Sequence, residues 1–341
     1  MTSMLVIHPG SVGDTILALP VLAALKSGHG SSSLHVLGHP GLVDVLPGRS
    51  PVDAMTSIEG PEYRALFSVS DMPAAVSKFF QQFHLVVVWT ADRDGSIKSA
   101  LHWLKGAHVI VRSPGLSEKS ELHATDRFLA TLGDQLPLGP VPEATLTATE
   151  NDQKAGAQWL SDHGINAGAD LLVAVQAGSG SPTKCWPSDR FVRVVDGLHK
   201  NGIQVVLIEG PADAEATQGV AGGLSIPLPR LRDASLSSVV GVLSQCNAFL
   251  GNDSGLTHVA TALGLPTVAV FGPTDPAIWG LRSQNLVALR AESGCRCLTR
   301  EMQAACSDRP CLGTTSEIVL NILQRLLLTA PWRLASRSSV C

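Results

Sequence analysis

The sequence predicts an α/β protein built from two successive parallel-sheet halves, and three observations support this class. Short apolar runs alternate with helical patterns along most of the chain, which is typical of strand–helix–strand units with helices on both faces of a sheet. The 341 residues are enough for about two domains. Hydrophobic residues make up 45% of the chain and charged residues only 16%, which excludes a disordered or coiled-coil protein.

The first half begins with the apolar run 4–8, which predicts a strand, and continues through a Gly-containing turn into a helix over 14–26. The same patterns predict three further strands, over 34–37, 85–89 and 109–111, and three further helices, over 74–83, 97–105 and 121–132. The segment 136–149 carries three prolines and has no helical period, so it is predicted to connect two domains. We therefore expect an N-terminal Rossmann-like domain over residues 1–149.

The pattern restarts with a predicted helix over 152–163 and a strand over 171–176. Further helices are expected over 188–200, 212–221, 236–245 and 255–263, and further strands over 204–208, 249–251 and 267–271. We expect a second Rossmann-like domain over 150–313, followed at 314–341 by a helix and tail that could pack back on the N-terminal domain. Ligands of such sheets bind beyond the carboxyl ends of the strands, which points to the loops 9–14, 177–184 and 251–257.

Charge, targeting signals and cysteine content limit which partners and which cellular compartment are expected. With 25 basic and 29 acidic residues, the net charge of −4 provides no general attraction for nucleic acid. No apolar run reaches the roughly 18 residues of a membrane span, and the N-terminus lacks a secretory pattern. Seven cysteines, an odd number, fit a reducing compartment. We therefore expect a cytoplasmic protein.

The most informative motif is GNDSGLTHVATALGLPTVAVFGPTDP, at residues 251–276. A strand ends at its start and a helix begins near Gly255, so unpaired amides and the positive end of the helix dipole can bind phosphate oxygens. His258 follows Ser254 by four residues and can point to the same end of the helix. Alternatively, Asp253 or Ser254 acts only as a helix cap.

A second loop, VQAGSGSPTKCWP at residues 175–187, matches neither the P-loop nor the GxGxxG pattern. It is rich in small and hydroxyl residues, including Ser179, Gly180 and Thr183. It ends in Lys184, a compact charge suited to a diphosphate. The alternative is that Lys184 is an ordinary solvated surface lysine.

A third loop, at residues 9–20, reads PGSVGDTILALP. Gly10 and Gly13 allow a tight turn, and Asp14 lies at the start of the following helix. Asp14 could cap that helix. It could instead be a general base that removes the proton from an attacking substrate hydroxyl.

Together these motifs resemble glycosyltransferase family 9, which contains the ADP-heptose:lipopolysaccharide heptosyltransferases. The shared patterns are GxxGD at 10–14, HxxDxxL at 123–129, GSGSPxKxWP at 178–187 and the motif at 251–276. The resemblance runs from residue 4 to about residue 327 and implies a GT-B architecture, in which two Rossmann-like domains face one another. The C-terminal domain would hold the nucleotide sugar and the N-terminal domain the acceptor.

The resemblance also implies roles for single residues. Asp14 would be the catalytic base, Lys184 would meet the diphosphate and sugar, and Asp213 would hold the ribose hydroxyls. The diphosphate would bind a turn formed by Asp253, Ser254, Gly255 and Leu256. The acceptor side would include Gly10, Ser11 and Gly13. His123 could also reach the acceptor side, or it could cap its helix or support other residues of the site.

Two residues depart from the family pattern. Gln176 stands where a histidine is usual, and His8 stands where arginine or lysine is frequent. The identity of the sugar and of the acceptor is therefore less well determined than the transferase class.

The implied reaction is inverting transfer of a sugar, heptose from ADP-heptose, to a lipopolysaccharide-core or other lipid-linked saccharide. We expect a monomer that uses no metal or cofactor and meets its acceptor at the inner face of the inner membrane. Two alternatives stay open: a sugar-nucleotide epimerase of GT-B shape, and a non-catalytic protein that binds nucleotide sugars.

Two residue groups resemble metal sites. The triplet at 92–94 is similar to the DxD signature of other transferases, but such short patterns often arise by chance. Cys295, Cys297, Cys306 and Cys311 could hold a structural zinc. Their loose spacing and the lack of a histidine favour unligated thiols.

Overall fold

The computed structural model describes residues 3–30, 32–67, 73–116, 120–136, 139–168, 170–291 and 299–329. The chain divides into two compact units, residues 1–147 and 148–341. Each unit contains one all-parallel sheet. Among the described residues, no helix is both long and apolar enough to cross a membrane.

The first unit has a five-stranded sheet in the order β3-β2-β1-β4-β5. Its strands are β1 (Ser3–His8), β2 (Ser33–Gly38), β3 (Ala54–Ser57), β4 (Leu85–Val88) and β5 (His108–Val111). Its helices are α1 (Val12–Gly28), α2 (Pro61–Ala65), α3 (Ala74–Gln81), α4 (Ser96–Ala100) and α5 (Ala124–Leu132).

Burial on both faces explains why the central strands of this sheet are continuous apolar runs. Leu5 and Ile7 of β1 belong to one core cluster, together with Phe80 of α3. Met4 and Val6, which point to the opposite face, are also fully buried. Helices therefore cover both faces, as the strand–helix alternation predicted.

The second unit has a six-stranded sheet in the order β11-β10-β9-β6-β7-β8. Its strands are β6 (Leu172–Val175), β7 (Gln204–Glu209), β8 (Arg230–Arg232), β9 (Ala248–Asn252), β10 (Thr267–Val270) and β11 (Leu286–Leu289). Its helices are α6 (Glu150–Asp162), α7 (Ser188–Lys200), α8 (Ala214–Gly223), α9 (Leu236–Leu243), α10 (Gly255–Ala262), α11 (Pro276–Trp279), α12 (Arg300–Ala305) and α13 (Ser316–Thr329).

The last helix, α13, belongs to the second unit. Its side chains Val319, Leu323 and Leu327 are buried in the core that also contains Phe191 of α7 and Val270 of β10. The sequence allowed this helix to pack on the N-terminal domain; in the described part of the segment its buried face lies in the core of the second unit. Its i, i+4, i+8 apolar stripe shows that a buried face exists but not which core covers it.

The strand order places a topological switch point in each sheet. In the second unit, β6 pairs with β9 on one side and with β7 on the other. In the first unit, β1 pairs with both β2 and β4. Connections leave such a strand pair in opposite directions, which opens a crevice at the carboxyl ends of the strands. The loops after β6, β9 and β1 are the three loops singled out from the sequence.

Candidate active site

In the second unit, the loop after β9 leads directly into α10. Ser254 is the N-cap of this helix, and its Oγ accepts a hydrogen bond of 3.3 Å from the Thr257 amide. The amides of Gly255 and Leu256 lie in the first turn, where a helix offers no internal acceptor. They and the helix dipole form a site suited to an anion at the switch point.

Asp253 lies beside this turn with only 5% of its surface exposed. Its Oδ2 accepts hydrogen bonds from Lys184 Nζ at 2.7 Å and from Thr274 Oγ1 at 2.6 Å. Burial raises the pKa of this carboxyl, but the charges of Lys184 and His258 and the two hydrogen bonds outweigh that effect and lower the pKa overall. Asp253 is therefore a buried anion that holds Lys184 at the loop.

His258 projects from α10 towards the same carboxylate, with Nε2 3.9 Å from Asp253 Oδ1. Its i, i+4 relation to Ser254 places it at this end of the helix, as the sequence indicated. Lys184 itself ends a 3₁₀ turn over Pro182–Lys184, and its side chain is 28% exposed. Lys184 is thus partly solvent-accessible while it is held by Asp253.

The loop after β6 is braced from within. Ser179 is buried, and its Oγ donates to the Asp253 carbonyl at 2.7 Å. Thr183 Oγ1 lies 2.8 Å from Ser181 Oγ, whereas a Cβ at Gly180 would have nothing within 4 Å. The Ser179 hydroxyl, a predicted donor-site residue, therefore donates its proton within the protein, to the loop after β9.

Asn252 also holds this loop, a role that the sequence alone did not predict. Its Nδ2 donates to the carbonyls of Ala177 and Gly178, and its Oδ1 accepts from the Trp186 amide at 2.9 Å. An asparagine that is 0% exposed at the end of an apolar strand must satisfy its amide within the protein. The signal that could have revealed it is that single amide between Gly251 and Asp253.

Asp213, expected at the ribose, is 3% exposed. Its Oδ2 accepts from Gln176 Nε2 at 2.7 Å and from the Gly210 amide at 2.9 Å. A Cβ at Gly178 would lie 2.0 Å from Asp213 Oδ1, so only glycine fits at that close approach. Gln176 in turn accepts from Ser254 Oγ at 2.6 Å. The Ser254 hydroxyl proton is thereby committed to Gln176, and it is the backbone amides of this turn that remain available to a ligand.

In the first unit, Ser11 and Asp14 form a capping box at the start of α1. Asp14 Oδ2 accepts from the Ser11 amide at 3.0 Å and from Ser11 Oγ at 2.8 Å. The capping role considered for Asp14 is therefore real. Both hydrogen bonds converge on Oδ2, which leaves Oδ1 able to accept a proton. Gly13 is buried in the first turn of the helix.

His8 lies directly beneath this turn at the end of β1. The ring is 3% exposed, and it packs edge-on against Trp89 and Phe128. Burial lowers its pKa to about 4, against the opposing effect of Asp14. A Cβ at Gly10 would lie 2.4 Å from the His8 ring, so the ring and the glycine are matched to each other.

His123 is buried and forms the N-cap of α5, where its Nδ1 accepts from the Thr125 amide at 3.1 Å. His123 therefore has the capping role that the sequence left open beside a position on the acceptor side. The Asp92 carboxylate accepts from the amides of Ile97 and Lys98 at 3.0 Å each, and Asp94 Oδ1 accepts from the Ser96 amide at 3.2 Å. The DxD-like triplet thus caps α4.

No cluster of three or more His, Cys, Asp or Glu side chains suited to a metal occurs in the described ranges. Cys295 and Cys297 lie outside the described residues. Cys311 is buried in the core of the second unit, and Cys306 is partly exposed.

Two parallel Rossmann-like sheets with loop-rich carboxyl edges define an α/β protein of the GT-B class. A crystal structure of a glycosyltransferase family 9 protein from Veillonella parvula matches with a TM-score of 0.80 at 20% identity, covering 96% of this chain and 98% of that one. Escherichia coli ADP-heptose lps heptosyltransferase II matches with a TM-score of 0.74 at 21% identity, covering 96% and 99%. These matches confirm the fold class.

Sequence comparison supplies the family. The model of glycosyltransferase family 9 (heptosyltransferase) matches residues 118–307, more than half of the chain. Lipopolysaccharide heptosyltransferase 3 of Escherichia coli is 25% identical over 302 residues, covering 81% of this chain and 85% of that protein. The chain belongs to glycosyltransferase family 9 and is a glycosyltransferase.

Proposed function

We propose that this chain transfers heptose from ADP-heptose to a lipopolysaccharide-core saccharide, with inversion at the anomeric carbon. The supporting observation is the switch point of the second unit, where the Lys184 ammonium is held 2.7 Å from Asp253 Oδ2 beside the unpaired first-turn amides of α10. This arrangement suits a nucleoside diphosphate. The relatives named as heptosyltransferases, one of them as an ADP-heptose enzyme, support the choice of sugar and nucleotide.

The proposed chemistry follows from charge. The acceptor hydroxyl attacks the anomeric carbon from the face opposite the diphosphate. As the bond to the diphosphate breaks, negative charge grows on the leaving oxygen. Lys184 and the Gly255 and Leu256 amides stabilise that charge. Asp14 accepts the hydroxyl proton at Oδ1, while its capping bonds hold Oδ2.

The acceptor is the less specified partner. We propose a lipid-linked saccharide, which brings the enzyme to the inner face of the inner membrane. The acceptor side is formed by the turn at 10–14 of the first unit. Support for this choice comes from the names of the relatives, which act on lipopolysaccharide.

The first experiment screens nucleotides by thermal shift and calorimetry with ADP, UDP, GDP and CDP. We expect ADP to stabilise the chain most. A uridine or guanosine preference would reject the ADP-heptose assignment, and lack of stabilisation by all four would reject the nucleotide-sugar site. Release of ADP from ADP-heptose that depends on added core saccharide then tests the transfer itself, since an epimerase needs no acceptor.

The second experiment replaces the proposed base. Asp14→Asn should lower kcat by about 10²–10⁴-fold because the proton acceptor is lost, and it should leave ADP affinity within about twofold. Asp44→Asn, on a different part of the first unit, is the control and should change neither. Full transfer activity in Asp14→Asn would contradict the base role.

A further inference from the structure

A buried chain of hydrogen bonds connects two of the loops at the switch point of the second unit. At its centre is Gln176, the residue that follows β6, which is 4% exposed. Its Nε2 donates to Asp213 Oδ2 at 2.7 Å, and its Oε1 accepts from Ser254 Oγ at 2.6 Å. One side-chain amide therefore joins the turn after β7 to the turn after β9.

The chemistry of the partners determines the direction of this chain. An ionised carboxylate only accepts hydrogen bonds, so the NH₂ group of Gln176 must face Asp213 and its carbonyl oxygen must face Ser254. The Ser254 proton is then directed to Gln176, and the oxygen lone pairs of Ser254 face the Thr257 amide. Each hydrogen bond in the series orients the next one.

Both ends of the chain define backbone turns. Asp213 Oδ2 also accepts from the Gly210 amide at 2.9 Å, which closes the turn between β7 and α8. Ser254 is the N-cap of α10, whose first-turn amides are the proposed diphosphate site. Breaking the Gln176 contacts would uncouple the two turns from each other, although each turn keeps its own hydrogen bond, and it would leave the surface of the site chemically unchanged.

We propose that Gln176 is a positioning residue that fixes the turn after β7 relative to the first turn of α10, so that the nucleoside and the diphosphate of one ligand meet both turns together. This inference rests on the proposed function. Preorganised turns bind a ligand without the cost of ordering them during binding. The Gln176 amide does not titrate. Its NH₂ group therefore donates at every pH to Asp213, the single carboxylate in this series of hydrogen bonds.

The test uses Gln176→Glu with ADP as the probe. This variant places a second carboxyl group against Asp213, and two carboxyls at hydrogen-bond distance hold one shared proton more tightly than a lone carboxyl does. We expect ADP affinity close to that of the unmodified chain at about pH 5.5, where one proton is present, and a loss of about tenfold or more at about pH 8, where both groups ionise and repel. Measuring the ADP affinity of the unmodified chain at the same two pH values corrects for ionisation of ADP and of other groups near the site.

A double variant that exchanges the amide and the carboxylate between the two positions separates the effect of the hydrogen bonds from effects of side-chain size and of folding. In Q176E combined with D213N, the asparagine NH₂ can take the position of Asp213 Oδ2 and donate to the new carboxylate. The Gly210 amide, which shares Oδ2 as its acceptor, then loses that hydrogen bond. We expect this double variant to lose the extra pH dependence. Gln204→Glu, an exposed glutamine at the start of β7, is the matched control and should bind ADP like the unmodified chain at both pH values.

The outcomes are distinct. If the unmodified chain binds ADP and Gln176→Glu binds ADP with the same affinity at both pH values, the positioning role is wrong and the proposed function stands. If the unmodified chain binds no nucleoside diphosphate, the proposed function itself fails. If Gln176→Glu does not fold, the double variant carries the test, because it has no carboxyl pair at this position: a fall of about tenfold in its ADP affinity from about pH 5.5 to about pH 8, beyond that of the unmodified chain, would overturn the proposal.

Discussion

At the scale of the residue, Lys184 and Asp253 form the interaction on which the site depends most. Lys184 Nζ lies 2.7 Å from Asp253 Oδ2. The side chain of Asp253 is 6% exposed, whereas the side chain of Lys184 is 28% exposed. A buried carboxylate that loses its cation keeps an uncompensated charge. The pair therefore serves both the stability of the loop and the charge offered to a ligand.

Lys184→Met should weaken ADP binding by about 10–100-fold, because a charged hydrogen bond to the diphosphate is lost. It should also lower the thermal unfolding temperature by leaving Asp253 without its cation. Calorimetry with ADP and thermal unfolding measure the two effects. Lys154→Met removes an exposed lysine whose ion pair with Glu150 is 3.8 Å long, and it should change neither. Unchanged ADP affinity in Lys184→Met would assign Lys184 a structural role only.

The lowered pKa of the buried His8 ring predicts how the free energy of unfolding responds to acid. Burial lowers its pKa in the folded chain from 6.5 to about 4, so the unfolded chain takes up a proton at a pH where the folded chain does not. Above about pH 6.5 the ring is neutral in both states and has no effect. As the pH falls from 6.5 towards 4, the free energy of unfolding should decrease by about 3 kcal/mol through this group alone.

Urea unfolding of the unmodified chain and of His8→Phe at pH 7, 5.5 and 4 checks this sign. The variant keeps an aromatic ring between Trp89 and Phe128 but cannot titrate, so its stability should fall less steeply with acid. His199→Phe, at an exposed position on α7, is the matched control and should keep the slope of the unmodified chain. If the free energy of unfolding fell equally steeply with acid in all three proteins, the pKa of His8 would not be lowered by folding.

At the scale of the element, α6 and α9 cross with backbone contact. A Cβ on Gly156 would lie 2.0 Å from the Gly241 carbonyl oxygen, and a Cβ on Gly241 would lie 2.6 Å from the Asp152 carbonyl oxygen. The two helices can pack this closely only because both positions lack a side chain. Since β9 follows α9 directly, this crossing also anchors the strand that leads to Asp253.

Gly156→Ala should lower the free energy of unfolding by about 1–3 kcal/mol, because the methyl group forces the helices apart. This overpacking should outweigh the gain in helix propensity of up to about 1 kcal/mol. Gly222→Ala is the control: it lies in α8, and a Cβ there has nothing within 4 Å, so it should be neutral or stabilising. Chemical denaturation of both variants measures the difference, and equal stability would contradict the close crossing.

The elements also show which parts of the fold sequence patterns can predict. The long periodic segments were predicted well: the helix over 188–200 coincides with α7, and the strand over 204–208 lies within β7. The short strands β3, β8 and β11 and the helices α2, α11 and α12 were not predicted. Elements of three to six residues carry too few periods to produce a pattern, and their conformation depends on neighbouring elements. The predicted helix over 97–105 forms only at 96–100.

At the scale of the whole molecule, all groups proposed to bind the nucleotide lie in the second unit, and the proposed base lies in the first. ADP alone should therefore slow hydrogen exchange of amides in the loops 176–184, 210–213 and 253–257, because bound amides open less often. The turn at 9–14 should show no slowing with ADP alone. Mass spectrometry of exchange with and without ADP checks this, and protection confined to the first unit would contradict the assignment of the nucleotide to the second.

The sequence by itself determined the α/β class, the two-sheet organisation, the family and the loops that carry the proposed site. These features depend on local periodicity and on short motifs, which act within a few residues of one another. Only the tertiary structure decided what the side chains in those loops do. The hydroxyls of Ser179 and Ser254 turned out to brace the loops, His123 turned out to cap α5, and α13 was assigned to the second core. Apart from the His123 cap, which is made to Thr125 two residues further on, these contacts join residues far apart in the chain. A hydrogen bond or an apolar face of this kind finds its partner by proximity in the folded state.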